Sequence, residues 1–127
     1  MQTQYGNQFY HRAQNLCPVY TKLYDDQLDN YDVILMPTLP HTAPLQPRQD
    51  LSLQQLFWEM FNMTVNTAPT NYTGHPALTL NVGHSAEEEG GLPVGAMIMA
   101  KKWHEQTILN VAYALERGLA ATTKTAQ

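Results

Sequence analysis

Asp32-Val33-Ile34-Leu35-Met36-Pro37 sets four apolar side chains in an unbroken row and closes it with a proline. The run is too short for a helix and does not alternate, so it reads as a strand covered on both faces. Ala77-Leu78-Thr79-Leu80-Asn81-Val82 alternates apolar and polar, the period of a strand with one wet face. Val94 to Ala100, with Met97, Ile98 and Met99 at its centre, is a second buried-looking run. The loop from Gly83 to Gly91 separates these last two, which are expected to pair as antiparallel neighbours.

Helical spacing fills the chain around the strands. Phe9, Ala13, Leu16, Tyr20 and Leu23 recur at intervals of four and three, one face of a helix that Pro18 is expected to kink or break. Pro37, Pro40, Pro44 and Pro47 make residues 37–50 a loop. Ser52 followed by Gln55 is a capping-box pattern, and Leu53, Leu56, Phe57, Met60, Phe61 and Val65 form the apolar face behind it. Pro69 is expected to end any continuation, and Thr73-Gly74-His75-Pro76 is turn chemistry. A last helix is expected from Trp103 or His104 to near Gly118, with Glu105 in its first turn and Ile108, Leu109, Val111, Ala112, Leu115 and Leu119 as its stripe.

The order helix, strand, helix, strand, strand, helix places the chain in the α/β class. The expected architecture is a partial mixed sheet of about three strands with flanking helices. On length, residues 1–127 fit a single domain. That domain reads as incomplete, because two strands look buried on both faces while few helices are available to cover them.

Composition narrows the functional classes. An apolar content of 43% excludes a disordered chain. A net charge of −4 with a pI of 5.6 offers no basic footprint for nucleic acid or an anionic membrane. No apolar stretch approaches the roughly 20 residues of a membrane span. The polar start, Met1 to Asn7, does not read as a secretion signal, which makes a cytoplasmic location the expectation. One cysteine, Cys17, excludes an internal disulfide and reads as a packed thiol. Glu87-Glu88-Glu89 reads as a solvated loop, and Asn62-Met63-Thr64 and Asn71-Tyr72-Thr73 as chance matches to a glycosylation acceptor.

Three blocks carry a resemblance. They are Tyr31 to Thr38 with Pro40, then Asn66-Thr67-Ala68-Pro69 with Asn71 and Thr73-Gly74-His75-Pro76-Ala77, then Gly91-Leu92-Pro93-Val94-Gly95 ahead of Glu105, Leu109, Ala112 and Glu116. Their order resembles the C-terminal portion of the amidase-signature family, over residues 5–117, with 118–127 as a tail. The second block is most similar to bacterial-type amidases acting on aliphatic and aromatic amides. Asn81 stands where the family commonly has proline, and Met97 where many members have glutamine.

The resemblance implies hydrolysis of an amide to a carboxylic acid and ammonia by a Ser nucleophile, a bridging Ser and a neutral Lys. It also places that machinery upstream of the matched region. Neither serine of this chain, Ser52 or Ser85, lies in a Gly/Ser-rich loop, and Lys22, Lys101, Lys102 and Lys124 match no catalytic position. The resemblance therefore implies no catalytic residue here, no cofactor, and a small-molecule amide as substrate of the full-length family. By position, the segment after Thr38 and the Asn66–Asn71 turn are candidates for one wall of the substrate pocket, with Asn66, Thr67 and Asn71 named for it. Asn and Thr beside Pro69 and Gly74 equally suit a turn that satisfies its own backbone. Trp58 and Phe61 read as core at their helical spacing. His11, His41, His75, His84 and His104 are scattered without metal-ligand spacing, so no metal site is expected.

Two functional classes stay open at this point. One is part of an amide hydrolase, pairing with a missing N-terminal segment. The other is a short non-catalytic protein that binds a partner, or itself, through uncovered sheet and helix faces.

Overall fold

A computed structural model describes residues 6–46 and 50–125. Helix α1 is Gln8–Leu28, strand β1 Ile34–Pro37, helix α2 Leu53–Asn62, helix α3 Ala68–Thr73, strand β2 Ala77–His84, strand β3 Pro93–Met99 and helix α4 Glu105–Thr125. A single 3-10 turn, Glu87–Glu89, sits in the acidic loop between β2 and β3. The polar start of the chain through Tyr5, and Pro47, lie outside the described residues.

The sheet runs β1-β3-β2. Leu35, Ile98 and Leu78 align across it as one row, and β3 is antiparallel to both neighbours. The expected pairing of the last two strands is present. The mixed character expected of the sheet is not, since both ladders of the described strands are antiparallel. Helix α4 packs on one face, where Ile98, Ala100, Ile108 and Ala112 form the core with Val33, Leu78, Val111 and Leu115 against it. Side chains alternate along a strand, so burial of Met97, Ile98 and Met99 in succession, at 2%, 0% and 0% exposure, means both faces of β3 are covered there. The same expectation for β1 is not met, because Leu35 at the sheet edge is 58% exposed.

Four local readings differ from the structure, each for a physical reason. Pro18 lies inside an unbroken α1. It removes only the donor that would reach the carbonyl of Gln14, and Gln14 is exposed to water that can take its place. Pro69 opens α3 instead of ending a helix, because first-turn N–H groups have no helical acceptor and proline loses nothing there. Gly118 falls within α4, which continues through the expected tail to Thr125. One glycine costs a helix only about 1 kcal/mol, and the Thr122 hydroxyl donates to the Gly118 carbonyl at 3.0 Å. Trp58 and Phe61 are not core, since α2 buries no residue at all.

With no buried side chain, α2 depends on its own termini. The capping box is formed: the Gln55 N–H reaches Ser52 Oγ at 3.4 Å, and the Ser52 N–H donates to Gln55 Oε1 at 3.0 Å. Losing a Ser cap costs a helix about 1 kcal/mol. Ser52→Ala is expected to speed amide hydrogen exchange across residues 53–62 several-fold while leaving residues 93–100 unchanged. Equal acceleration in both segments would show that α2 is held by tertiary packing instead.

Candidate functional site

The loops at the Pro37 end of the sheet converge. Asn66 Nδ2 donates to the Pro37 carbonyl at 2.8 Å, tying the turn after α2 to the end of β1. The Thr38 N–H donates to the Gly95 carbonyl at 2.9 Å, and the Thr38 hydroxyl donates to the Thr79 hydroxyl at 3.1 Å. Behind them Asn81 Oδ1 accepts from the Gly83 N–H at 3.0 Å, where the β2–β3 register shifts. The resulting depression, about 360 Å³, is lined by Thr38, Leu39, His41, Thr79, Asn81 and Gly95 among others. Gly95 allows the close approach: a Cβ there would stand 2.9 Å from Thr79 Cγ2 and 3.0 Å from Thr38 Oγ1.

A larger groove of about 670 Å³ runs between α1 and α3, lined by Tyr20, Tyr24, Val65, Pro69, Asn71 and Tyr72 among others. The three residues named from sequence are therefore not gathered into one pocket. Asn66 braces the sheet end. Asn71 lines the groove and also a separate depression that includes His75 and Trp103. Thr67 lies between them in the turn, its hydroxyl donating to the Thr64 carbonyl at 3.3 Å and its carbonyl accepting from the Thr70 hydroxyl at 2.8 Å.

Sequence reasoning missed the polar network that docks α1. His75 is buried, with Nδ1 at 2.8 Å from Thr73 Oγ1 and Nε2 at 3.1 Å from Asp25 Oδ1. Cys17 Sγ donates to the Tyr72 carbonyl at 3.1 Å, and the Tyr72 hydroxyl donates to the Ala13 carbonyl. Nothing in the sequence singles out Asp25, since its partner lies 50 residues away. Carboxylate, imidazole and hydroxyl in that order imitate an acyl-transfer triad. The hydroxyl, however, belongs to buried Thr73 and donates to the Pro69 carbonyl at 2.8 Å, so it is no accessible nucleophile.

The remaining candidates for bond-breaking chemistry are committed elsewhere. Ser52 caps α2, and Ser85 Oγ accepts from the Leu92 N–H at 3.0 Å within the acidic loop. A general-base lysine must lose its proton, and two of the lysines are biased against that. A hydrogen bond to Asp29 holds Lys101 above the usual lysine range, and one to Asp26 does the same for Lys22. Among the described residues no three His, Cys, Asp or Glu side chains converge to hold a metal ion.

A family model described as "Amidase" matches residues 1–109. The chain is 40% identical over 108 residues to an "Enantioselective amidase" of Rhodococcus rhodochrous, covering 84% of this chain and 20% of that protein. It is 36% identical over 115 residues to an "Uncharacterized protein in nthA 5'region" of Rhodococcus erythropolis, covering 91% of this chain and 56% of that one. The A subunit of the glutamyl-tRNA(Gln) amidotransferase of Wolinella succinogenes is 32% identical over 115 residues, covering 91% of this chain and 24% of that one. In structure, the chain matches the corresponding amidotransferase subunit from Thermotoga maritima with a TM-score of 0.69 at 24% identity, over 87% of this chain and 23% of that one. The chain thus spans between a fifth and just over half the length of these relatives.

Two outcomes follow from the geometry. Gly95→Ala forces an extra methyl against Thr79 and Thr38, and overpacking of this kind costs about 1–3 kcal/mol. Its urea midpoint is expected to fall, with Thr79→Ala recovering part of the loss; an unchanged midpoint would mean the sheet end yields freely. The second outcome concerns the Lys101–Asp29 ion pair. Asp29 is held below its ordinary 3.8 and Lys101 above its ordinary 10.5. Their contribution is therefore complete between those ordinary values, lost in acid as pH falls through the lowered Asp29 value, and lost in base as it rises through the raised Lys101 value. Lys101→Met is expected to lower stability slightly at neutral pH in low salt. That difference should vanish once the pH falls below the lowered Asp29 value, or in roughly 1 M salt, and a difference that persisted in both would not come from the pair.

Proposed function

The chain belongs to the amidase family, and on that premise we propose that it is the C-terminal portion of an amide hydrolase, forming one wall of the pocket. The reaction converts an amide and water to a carboxylic acid and ammonia. The Ser nucleophile, bridging Ser and neutral Lys that the family resemblance implies are supplied by chain outside these residues. The observation that carries this reading is the sheet end. Asn66, Thr38, Thr79 and Gly95 fix the loops there by side-chain and backbone hydrogen bonds, and Gly95 keeps the space open for them. Asn66 acts by positioning Pro37 and Thr38, and Asn71 lines the neighbouring groove. Thr67 holds the turn that carries both.

The substrate is a small uncharged amide, in keeping with the apolar surroundings of these few polar groups. A cytoplasmic setting fits a chain whose one cysteine, Cys17, can form no internal disulfide. No helix among the described residues is long and apolar enough to cross a membrane. A second reading, a short non-catalytic partner-binding protein, is favoured only by the exposed apolar face of α2.

The test is a covalent chimera. The stretch of the Rhodococcus rhodochrous amidase that aligns with this chain, 40% identical, is replaced by the residues of this chain. The chimera is expected to hydrolyse benzamide or propionamide, and Asn66→Ala within it to reduce kcat/KM about tenfold or more, the loss of about 1.4 kcal/mol of transition-state positioning. The 127-residue chain by itself is expected to show no turnover with acetamide, propionamide or benzamide. A folded chimera with no activity, or turnover that tracks the isolated chain through purification, would overturn the reading.

A further inference from the structure

The depression at the Pro37 end of the sheet carries hydrogen-bonding atoms that the protein itself leaves unused. Thr79 and Asn81 lie two residues apart on β2, so their side chains share one face. Asn81 pairs across the ladder with Gly95, which presents no side chain beside it. The Gly83 N–H is a donor, so the atom it meets at 3.0 Å is Asn81 Oδ1, and Asn81 Nδ2 keeps both of its N–H donors. The Thr38 hydroxyl gives its hydrogen to Thr79 Oγ1, which leaves the Thr79 O–H as a further donor. On the loop after β1, His41 Nδ1 lies 2.8 Å from the Thr42 carbonyl. A carbonyl only accepts, so Nδ1 carries the hydrogen, and in the neutral ring Nε2 is an acceptor. Among the described residues neither Asn81 Nδ2 nor His41 Nε2 has a partner.

We propose that this depression is a subsite for a second, uncut carboxamide of the substrate. The carbonyl oxygen of that group accepts from Asn81 Nδ2 and the Thr79 hydroxyl, and its NH2 donates to His41 Nε2. The proposal rests on the hydrolase reading above and adds the class of substrate, a diamide held at one end while the other is cut. A carboxamide carries an acceptor and a donor together, which matches what the wall offers. Other groups match it less well. Among the described residues none that line the depression is Asp, Glu, Lys or Arg. A carboxylate would therefore find no lysine or arginine and would set an acceptor against His41 Nε2, and an ammonium group would find no counter-charge. A hydrocarbon group would leave the donors unpaired. At about 360 Å³ the space is of the size that small-molecule groups occupy. Proline, common in the family where Asn81 stands, has no side-chain donor, so the subsite belongs to the sequence of this chain.

The experiment compares succinamide with isocaproamide, which has the same shape but carries methyl groups in place of the second carboxamide. In the covalent chimera described above, kcat/KM is expected to favour succinamide. Asn81→Asp keeps the oxygen that the Gly83 N–H uses and turns the free donor into an acceptor. His41→Phe keeps a ring and removes the free nitrogen. Each is expected to lower the succinamide-to-isocaproamide ratio of kcat/KM roughly fivefold or more, the effect of one hydrogen bond, which a merely structural role would not do. Binding is read separately by nuclear magnetic resonance on the 127-residue chain. Succinamide is expected to shift the Asn81 side-chain NH2 and the His41 ring signals saturably, and isocaproamide to leave them in place. A ratio that neither substitution changes, or shifts that are absent or equal for the two amides, would overturn the subsite. A chimera that hydrolyses benzamide but not succinamide would sink the subsite alone. A folded chimera that hydrolyses no amide would sink the hydrolase reading alone, and the titration would then decide the subsite.

Discussion

β3 pairs along both of its edges, and the rest of the molecule is arranged around that pairing. Its last three residues, Met97 to Met99, are almost fully buried and hydrogen-bond towards β1 on one side and β2 on the other. Ala100 continues the burial, and its N–H donates to the Pro76 carbonyl at 3.2 Å, so the strand also fixes the turn that starts β2. Ile98 and Ala100 then give α4 its seat. A strand used on both edges and both faces has no slack, because interiors are close-packed and a changed volume is felt at once.

The opposite end of the same sheet is built on polar contacts. Thr38, Thr79 and Gly95 meet at distances that leave no room for a methyl group, and Asn66 ties the turn after α2 to Pro37. An apolar core thus stands at one end of the sheet and directed hydrogen bonds at the other, the first supplying rigidity and the second fixing the orientation of the loops there.

Helix α1 follows a different rule. It buries only Leu28, yet it is held at several points by hydrogen bonds, among them His75 to Asp25 and Tyr72 to Ala13. A buried imidazole with both nitrogens within hydrogen-bonding distance of protein atoms is costly to disrupt, since either partner left alone would be an unsatisfied buried group. Beside those bonds the rings of Tyr20 and Tyr72 meet edge-on, with centroids 6.0 Å apart.

Sequence alone determined the element types wherever period and length agreed: the β1 run, the alternation of β2, the capping box at Ser52 and the stripe of α4 all reflect local backbone and solvent preferences. It also determined the family, because the Asn-Thr-Ala-Pro and Thr-Gly-His-Pro blocks are turn chemistry that sits in contiguous residues. It misjudged Pro18, Pro69 and Gly118, because a proline below an exposed carbonyl, a proline in a first turn and a single glycine each leave a helix intact. It misjudged Trp58 and Phe61 because helical periodicity says which residues share a face, not whether anything covers it. Only tertiary structure could bring Asp25 to His75, Asn66 to Pro37 and Thr38 to Thr79, because each pair spans 29 residues or more and depends on how the strands register.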